Sequence, residues 1–259
     1  MGNHVHVFMP PEVLHIINTL NAHGFEAYAV GGCVRDSILG RKPQDWDITT
    51  NAKPHEIKGI FEKTVDTGIK HGTVTVLAMG QSFEVTTYRI DGEYKDNRRP
   101  ETVQFTSSLD DDLKRRDFTI NSIACHPVEG IIDPFGGMHD IERKIIRTVG
   151  NPDARFHEDA LRMLRAIRFS AQLDFDITED TFESIKRNHH LIKSISQERI
   201  RDELTRLILS DHPLRMVQMR DTGILRHILP EFDVCFDVAQ NHPYHIYDVG
   251  FHTLHALTA

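Results

Sequence analysis

The sequence predicts an α+β protein in which a small mixed sheet with helices is followed by an all-helical region. Up to about residue 140, β-rich runs alternate with stretches of helical apolar spacing. Beyond Gly150 the β-branched runs disappear, and apolar residues recur at helical intervals through 157–171, 179–192 and 197–209. This change of periodicity divides the chain into two parts.

Local patterns predict the elements of the first part. Residues 10–23 carry apolar side chains at helical spacing, which predicts one amphipathic helix. The segments 74–78 and 83–88 are rich in β-branched and aromatic residues, and Met79-Gly80-Gln81-Ser82 between them has the composition of a turn. We therefore expect a β-hairpin with Glu84 on its second strand.

Composition limits the class of protein. The 259 residues are 39% hydrophobic, which permits a sizeable core in one large domain or two. A net charge of −8 disfavours a surface coated for non-specific nucleic-acid binding, although local basic clusters could serve an RNA partner. Such clusters occur at Arg98-Arg99, Lys114-Arg115-Arg116 and Arg162, Arg165, Arg168. The sequence lacks a membrane-length apolar run and a secretory signal pattern, so we expect a soluble, cytoplasmic protein without a membrane partner.

Cysteines and histidines do not form a recognisable metal or disulfide pattern. Cys33, Cys125 and Cys235 are far apart and lack paired zinc spacing, so we expect reduced, mostly buried thiols. Four of the 17 histidines gather near the C-terminus, where solvated or hydrogen-bonded histidines are a simpler explanation than a metal site: His242, His245, His252 and His255. No feature of the sequence indicates an oligomeric state.

Residues 29–50 carry the pattern with the clearest chemistry. Asp45 and Asp47 lie two apart in a strand-like segment, so both carboxylates should point to one face and Trp46 to the other. An isolated Asp-x-Asp is more often a solvated edge. Here the Gly31-Gly32 pair precedes a helix-like segment, so that a phosphate could approach the backbone, and Arg35 could pair with it. Together these residues predict a Mg²⁺ site and phosphoryl or nucleotidyl transfer.

The motif GGxVRDxxLGxxxxDxDIxT resembles the head-domain signature of class II tRNA nucleotidyltransferases, the CCA-adding enzymes, and of the related bacterial poly(A) polymerases. Further similar motifs follow in family order: IKHGTVTV (69–76), EVTTYRIDGEYKDNRRPE (84–101), DLKRRDFTINSIA (112–124), DPFGG (133–137), RFHEDALRMLRAIRF (155–169) and SQERIRDEL (196–204). The resemblance implies a polymerase β-like nucleotidyltransferase head at 1–145, a helical neck at 146–210, and the start of a truncated helical body at 211–259. The active site would lie where head and neck meet.

The resemblance also implies roles for individual residues. Asp45 and Asp47 would hold two Mg²⁺ ions while the terminal ribose 3′-hydroxyl of a tRNA attacks the α-phosphate of CTP or ATP. The nucleotide would be bound by Gly32, Arg35, Arg116, Asp159, Arg162, Arg165 and Arg168. There are four further candidates: Gly31, Glu84, Arg115 and Asp117. An exposed strand position would explain Glu84 equally well. For Arg115, Arg116 and Asp117 the resemblance favours a triphosphate and sugar clamp over a solvated helix surface, with Asp117 orienting neighbouring groups.

Asp159 and Arg162 lie three apart on a predicted helix, with Arg165 and Arg168 continuing along the same stripe. An ordinary ion-paired helix face would explain this spacing. Cytosine and adenine, however, both present an amino donor beside a ring-nitrogen acceptor, and uracil and guanine reverse that order. A carboxylate and a guanidinium would therefore accept C and A, and the resemblance implies this template role for the pair.

Several activities within the family are compatible with these motifs. The segment 69–76 stands where bacterial poly(A) polymerases typically carry a basic signature, which disfavours poly(A) synthesis. DGEYKDNRRPETVQF (91–105) resembles a flexible loop that CC-only enzymes tend to lack. Complete CCA addition, in tRNA processing and repair, and A-only addition stay open, as does a catalytically silent nucleotide- or RNA-binding module.

The C-terminal segment NHPYHIYDVGFHTLHAL (241–257) resembles the opening of an HD-type phosphohydrolase domain. In such a domain His252 would be the first metal ligand. The sequence stops before a His-Asp pair could complete that site, so we expect no second metal centre in this chain.

Overall fold

The computed structural model describes residues 7–92, 103–241 and 244–258. It divides the chain into two compact units, with the change at Arg143 and Lys144. Most of the predicted flexible loop, the Arg98-Arg99 pair and His242 lie outside the described residues. None of the helices in the described ranges has the length and apolar character that a bilayer crossing needs.

A seven-stranded mixed sheet forms the centre of the first unit. Its strand order is β3-β4-β5-β2-β1-β8-β9; β2 and β5 run parallel, and the other neighbours run antiparallel. A separate antiparallel pair is formed by β6 and β7. The elements are α1 (Pro11–Ala22), β1 (Ala27–Val30), α2 (Gly32–Ile38), β2 (Asp47–Thr50), α3 (Pro54–Ile60), β3 (Thr64–Gly68), β4 (Thr73–Ala78), β5 (Gln81–Thr87), β6 (Arg89–Asp91), β7 (Val103–Phe105), α4 (Leu109–Lys114), β8 (Ala124–His126), β9 (Gly130–Ile132) and α5 (Gly137–Glu142).

The predicted N-terminal helix and hairpin are confirmed. The apolar spacing of α1 buries its inner face through Val13, Ile16, Ile17 and Leu20. The hairpin of β4 and β5 has a shorter turn than expected, because Ala78 pairs with Gln81. Only Met79 and Gly80 remain in the turn, and both have positive φ values (48° and 82°), as in the type I′ turns that suit the twist of paired strands.

Among its described residues, the second unit is helical apart from one short strand pair. Its elements are β10 (Ile145–Ile146), α6 (Pro152–Glu158), α7 (Leu161–Leu173), β11 (Asp176–Ile177), α8 (Glu179–Asn188), α9 (Gln197–Ile208), α10 (Val217–Asp221), α11 (Leu225–Ile228), α12 (Pro230–Asp233) and α13 (Val249–Ala256). The parallel pairing of β10 with β11 was not predicted. Two residues per strand are too few to show a β pattern in the sequence.

The helix predicted over 157–171 is interrupted, and this changes the position of one candidate residue. Glu158 ends α6, and Asp159 is extended (φ −143°, ψ 103°). The Leu161 N–H then donates to Asp159 Oδ1 (3.1 Å) as α7 begins, so that the carboxylate supports a new helix start. The prediction that Asp159 lies on one helix with Arg162 is therefore wrong; Arg162 belongs to α7, and Asp159 to the junction before it.

Candidate functional site

Three carboxylates gather along the central strands of the first unit. Asp47 begins β2 and pairs in parallel register with Glu84 of β5, so the predicted adjacency of Glu84 is confirmed. Asp45 precedes the strand rather than lying in it. Trp46 is nevertheless buried while both aspartates are exposed, so the alternation expected from the spacing is confirmed. We call Asp45, Asp47 and Glu84 the acidic edge.

The acidic edge carries concentrated negative charge. Within the described residues none of its three carboxylates forms an ion pair. Asp47 keeps solvent contact, but the protein atoms packed around it partly desolvate the carboxylate and raise its pKa; Arg116 opposes that shift and Asp45 adds to it. Desolvation likewise raises the pKa of Glu84, and the charges of Asp47 and Asp45 raise it further. A cation bound here would relieve this repulsion.

The chemistry of these donors fits Mg²⁺ in a specific way. In the part of the chain that the structure describes, no group of three or more His, Cys, Asp and Glu side chains could by itself hold a metal ion. Mg²⁺ usually binds through one or two carboxylates together with water and substrate phosphates. Asp45 and Asp47 can supply the carboxylates, so the acidic edge suits a cation that is bound together with a triphosphate.

Gly31 brings the backbone after β1 close to a cationic side chain. Its φ is +82°, and a Cβ at this position would lie 3.1 Å from Arg116 Nη1, so that both conformation and space favour glycine. Gly32 begins α2 directly afterwards. Since Arg116 also lowers the pKa of Asp47, its positive charge lies near both the glycine pair and the acidic edge.

Arg35 is part of a buried network. Its Nη1 donates to Asn121 Oδ1 (2.6 Å), and its Nε and Nη2 donate to Asp36 Oδ1 (2.8 and 2.7 Å). The Asn121 amide in turn donates to Asp117 Oδ1 (3.1 Å). These contacts hold Asp117 in place, whereas a contact of Arg35 with phosphate stays a prediction. Asn121 was not selected from the sequence, although it belongs to the motif DLKRRDFTINSIA.

Arg115 and Arg116 share a partner, Asp112, that was likewise not selected from the sequence. Asp112, on α4, accepts hydrogen bonds from Arg115 Nε (2.9 Å) and Arg116 Nη2 (3.2 Å) and is fully buried. The three- and four-residue spacing between this aspartate and the two arginines could have indicated the contact. Lys114-Arg115-Arg116 is therefore not simply a solvated basic surface.

In the second unit the predicted base-reading residues each have an oppositely charged partner. Asp159 accepts two hydrogen bonds from Arg199 on α9, from Nη1 (3.3 Å) and Nη2 (2.8 Å). Arg162 Nη1 donates to Glu158 Oε2 (2.7 Å). Arg199 and Glu158 were not selected from the sequence, although both lie in motifs that resemble the family.

Arg165 and Arg168 contact the same carboxylate on α9. Arg165 Nη1 lies 3.4 Å from Glu203 Oε1, and Arg168 Nε donates to Glu203 Oε2. Arg168 is buried, and its guanidinium carbon lies 3.8 Å from the centre of the Phe169 ring. These contacts join α7 to α9; a nucleotide contact by either arginine stays a prediction.

The thiols and the C-terminal histidines were not assigned a role in the site, although Cys33 lies beside the acidic edge, with Sγ 3.9 Å from the backbone oxygen of Asp47. All three cysteines are free thiols, and Cys33 and Cys125 are buried, as predicted. His252 lies on α13 with its ring edge-to-face against His245 (5.1 Å between centroids). The resemblance of this segment to an HD-type domain stays a prediction.

Comparison with known proteins agrees with the fold and these motifs. Residues 27–147 match the family described as Poly A polymerase head domain, and residues 174–236 match the one described as probable RNA and SrmB-binding site of polymerase A. The CCA-adding enzyme of Lactobacillus helveticus is 48% identical over 232 residues, which cover 90% of this chain and 58% of that relative.

Solved structures show the same similarity. The Bacillus stearothermophilus CCA-adding enzyme in complex with CTP is 46% identical with a TM-score of 0.77, covering 83% of this chain and 53% of that chain. The Thermotoga maritima CCA-adding enzyme complexed with tRNA is 26% identical with a TM-score of 0.73, covering 88% of this chain and 57% of that chain. The chain thus spans little more than half the length of these relatives. Its ordered motifs, its polymerase β-like first unit and these similarities show that it belongs to the family of CCA-adding enzymes and bacterial poly(A) polymerases.

Proposed function

We propose that this chain carries the catalytic and base-reading parts of a tRNA nucleotidyltransferase that adds C, C and A to the 3′ end of tRNA. CTP and ATP are the nucleotide substrates, and no nucleic-acid template is needed. The observation that carries the proposal is the acidic edge, whose carboxylates have no ion pair within the described residues and whose Asp47 lies near the positive charge of Arg116. The relatives named for CCA addition, one bound to CTP and one to tRNA, support the same substrates.

Different residues of the first unit would have separate roles in nucleotidyl transfer. Asp45 and Asp47 would hold two divalent cations. When bound, these cations lower the pKa of the attacking 3′-hydroxyl and neutralise the charge that develops on the departing pyrophosphate. Arg116 would bind the triphosphate beside Gly31 and Gly32, so that the α-phosphate is held in line for attack.

Asp159 and Arg162 would select the base. The carboxylate accepts from the exocyclic amino group of C or A, and the guanidinium donates to the adjacent ring nitrogen. An ionised carboxylate has about four acceptor positions. Asp159 accepts two bonds from Arg199 and one from Leu161 in the described structure, so it keeps the capacity to accept a base while Arg199 holds it in orientation.

The test is the nucleotide profile on three tRNAs, which lack the whole CCA end, its last two nucleotides, or only the final A. With Mg²⁺, CTP and ATP, each should be completed to CCA and then extended no further. Extension of only the tRNA that ends in CC would indicate A-only addition, and long A tails would indicate poly(A) synthesis. Binding of CTP without any incorporation would overturn the proposal in favour of a catalytically silent nucleotide-binding module.

A further inference from the structure

Asp112 is a fully buried carboxylate with an unusual number of donors. Oδ1 accepts from Arg115 Nε (2.9 Å) and from the backbone N–H of Arg89 (3.4 Å). Oδ2 accepts from Arg116 Nη2 (3.2 Å) and Thr49 Oγ1 (3.2 Å). Burying a charge is costly unless it is paired and hydrogen-bonded, and this carboxylate is both. It therefore joins three segments of the first unit at one point: β2, β6 and the end of α4.

The carboxylate stays ionised despite its burial. Desolvation by burial raises the pKa of Asp112, but the positive charges of Arg116 and Arg115 and their hydrogen bonds outweigh it and leave the pKa below its ordinary value. Asp112 is thus a fixed negative charge at neutral pH. Charge-assisted hydrogen bonds of this kind are about twice as strong as neutral ones.

The contact with Asp112 determines where the Arg116 guanidinium can lie. Nη2 is held by Oδ2 of Asp112, and Nη1 lies 3.1 Å from the position that a Cβ on Gly31 would occupy. Arg116 Nε is buried and has no hydrogen-bond partner in the described structure. Within the described residues, Asp112 is therefore the group that anchors this guanidinium by a hydrogen bond.

The same oxygen is bonded to the strand that carries Asp47. Thr49 lies two residues beyond Asp47 on β2, and alternation along a strand places both side chains on one face. Thr49 Oγ1 lies within hydrogen-bond distance of Asp112 Oδ2 (3.2 Å) and of the Thr86 backbone oxygen (3.3 Å), and Asp112 Oδ2 is also the acceptor for Arg116. One buried oxygen atom thus connects the strand of the acidic edge with the guanidinium near the glycine pair.

We propose that Asp112 is a positioning residue for nucleotide binding, whose carboxylate holds Arg116 at a set spacing from the strand of Asp47. Asp112 itself touches neither the nucleotide nor the cation. The inference rests on the proposed function in one respect, because it takes Arg116 as the triphosphate-binding group. Holding that group in place before the ligand arrives lowers the cost of ordering it on binding.

The test measures CTP binding with Mg²⁺ by calorimetry, without RNA, together with thermal unfolding and the separate values of kcat and KM. Asp112→Asn keeps the shape but removes the charge, and we expect CTP binding to weaken by roughly 10- to 100-fold, as for loss of a hydrogen bond to a charged group. KM should rise by more than kcat falls. Thr49→Val removes only the hydroxyl and should weaken binding by a smaller factor.

Asp140→Asn is the matched control. Asp140 is equally buried, accepts a hydrogen bond from Thr119 and belongs to the same unit. Its substitution should lower the unfolding temperature while leaving CTP binding within about twofold, since its contact with Thr119 involves neither Asp112 nor Arg116. A purely structural role for Asp112 predicts that Asp112→Asn and Asp140→Asn affect CTP binding alike.

A double-mutant cycle decides whether Asp112 acts through Arg116. If it does, Asp112→Asn combined with Arg116→Gln binds CTP no more weakly than Arg116→Gln alone. Additive losses, or CTP binding by Asp112→Asn at the level of the Asp140→Asn control, would overturn the inference. If Asp112→Asn does not fold, the cycle between Thr49→Val and Arg116→Gln gives the same decision.

The two proposals can fail separately. A chain that binds CTP but incorporates no nucleotide overturns the proposed function, while the cycle on CTP binding still decides the role of Asp112. Incorporation by the unaltered chain, with unchanged CTP affinity in Asp112→Asn, overturns this inference alone.

Discussion

The acidic edge of the first unit and the proposed base-reading pair of the second unit, Asp159 and Arg162, differ in how their charges are balanced. Among the described residues, Asp45, Asp47 and Glu84 have no ion pair, and the pKa values of Asp47 and Glu84 are raised. Asp159 and Arg162, in contrast, each contact a group of opposite charge, Arg199 and Glu158 respectively. One site is electrostatically incomplete, and the other is complete before any ligand arrives.

This difference in charge pairing corresponds to two ways in which a protein can prepare a site for its ligand. Repulsion within the acidic edge favours a cation, because a bound cation removes an existing penalty. The partners of Asp159 and Arg162 restrict the rotation of both side chains, so that less freedom would be lost on binding the base that we propose they read. The first site should therefore respond to metal, and the second to changes in the partner residues.

The largest effect is expected at the acidic edge. Asp45→Ala or Asp47→Ala should reduce nucleotide incorporation by ~10³-fold or more, because the cation contributes several kcal/mol to the transition state. The fold should persist, since both side chains are exposed. Incorporation assays measure the activity, and circular dichroism measures whether the fold persists. Asp66→Ala is the control, because Asp66 is an exposed aspartate of the same unit. Retained incorporation in either variant would show that the assignment of these ligands is wrong.

The next effect concerns the choice of base. Exchanging the pair, with Asp159→Arg and Arg162→Asp, should shift incorporation from CTP and ATP toward UTP and GTP, by ~10²-fold in relative preference, as hydrogen-bonding sites can discriminate that strongly. The structure sharpens this prediction, because the exchange places like charges against Arg199 and Glu158. Adding Arg199→Gln and Glu158→Gln should recover part of the total activity. Incorporation of all four nucleotides is measured, and an unchanged preference would refute the template role.

A smaller effect is expected from Arg199 alone. Arg199→Gln removes the charged partner that orients Asp159, so discrimination against UTP should fall by about tenfold, the equivalent of one modest hydrogen bond. The increase in unfolding temperature that Mg²⁺ causes should not change. Arg201→Gln, on the same helix and well exposed, is the matched control. Equal discrimination by both variants would mean that Arg199 does not orient the carboxylate.

The smallest effect is a pH-dependent response to Mg²⁺. Because the folded-state pKa of Asp47 is raised, its ionisation destabilises the fold as pH rises from its ordinary pKa through the raised one. Mg²⁺ should therefore increase the unfolding temperature at neutral pH, and this increase should vanish as protonation competes at acidic pH. Asp47→Asn should lose most of the increase and, without Mg²⁺, unfold no earlier than the unaltered chain. Thermal unfolding across pH tests this; an identical Mg²⁺ response in Asp47→Asn would contradict it.

Patterns with a short period were predicted reliably from the sequence. The helical spacing of Val13, Ile16 and Leu20 places α1 correctly, because 3.6-residue periodicity is a property of one segment alone. The two-residue spacing of Asp45 and Asp47 likewise predicts their shared face, even though the strand begins only at Asp47. Motif order was sufficient to indicate the family and the mixed sheet followed by helices.

Contacts that depend on a specific partner could not be predicted in this way. Asp159 was predicted on a helix with Arg162, because nothing in the apolar spacing indicates that the helix is interrupted there. Its partner Arg199 lies 40 residues away. Arg35 has the side chain of a typical phosphate ligand, but its guanidinium donates a hydrogen bond to Asn121, 86 residues further along the chain.

The sequence by itself thus determined the family, the order of sheet and helices, and the residue types that can bind a cation and read a base. Only the tertiary structure decided which charges are paired and which are not. Glu84 lies beside the like-charged Asp47, whereas Arg199 donates a hydrogen bond to Asp159 and Arg116 donates one to Asp112. The physical reason is that residue type and spacing follow from local covalent geometry. Charge pairing depends instead on distances between segments, which only the packing of the folded chain establishes.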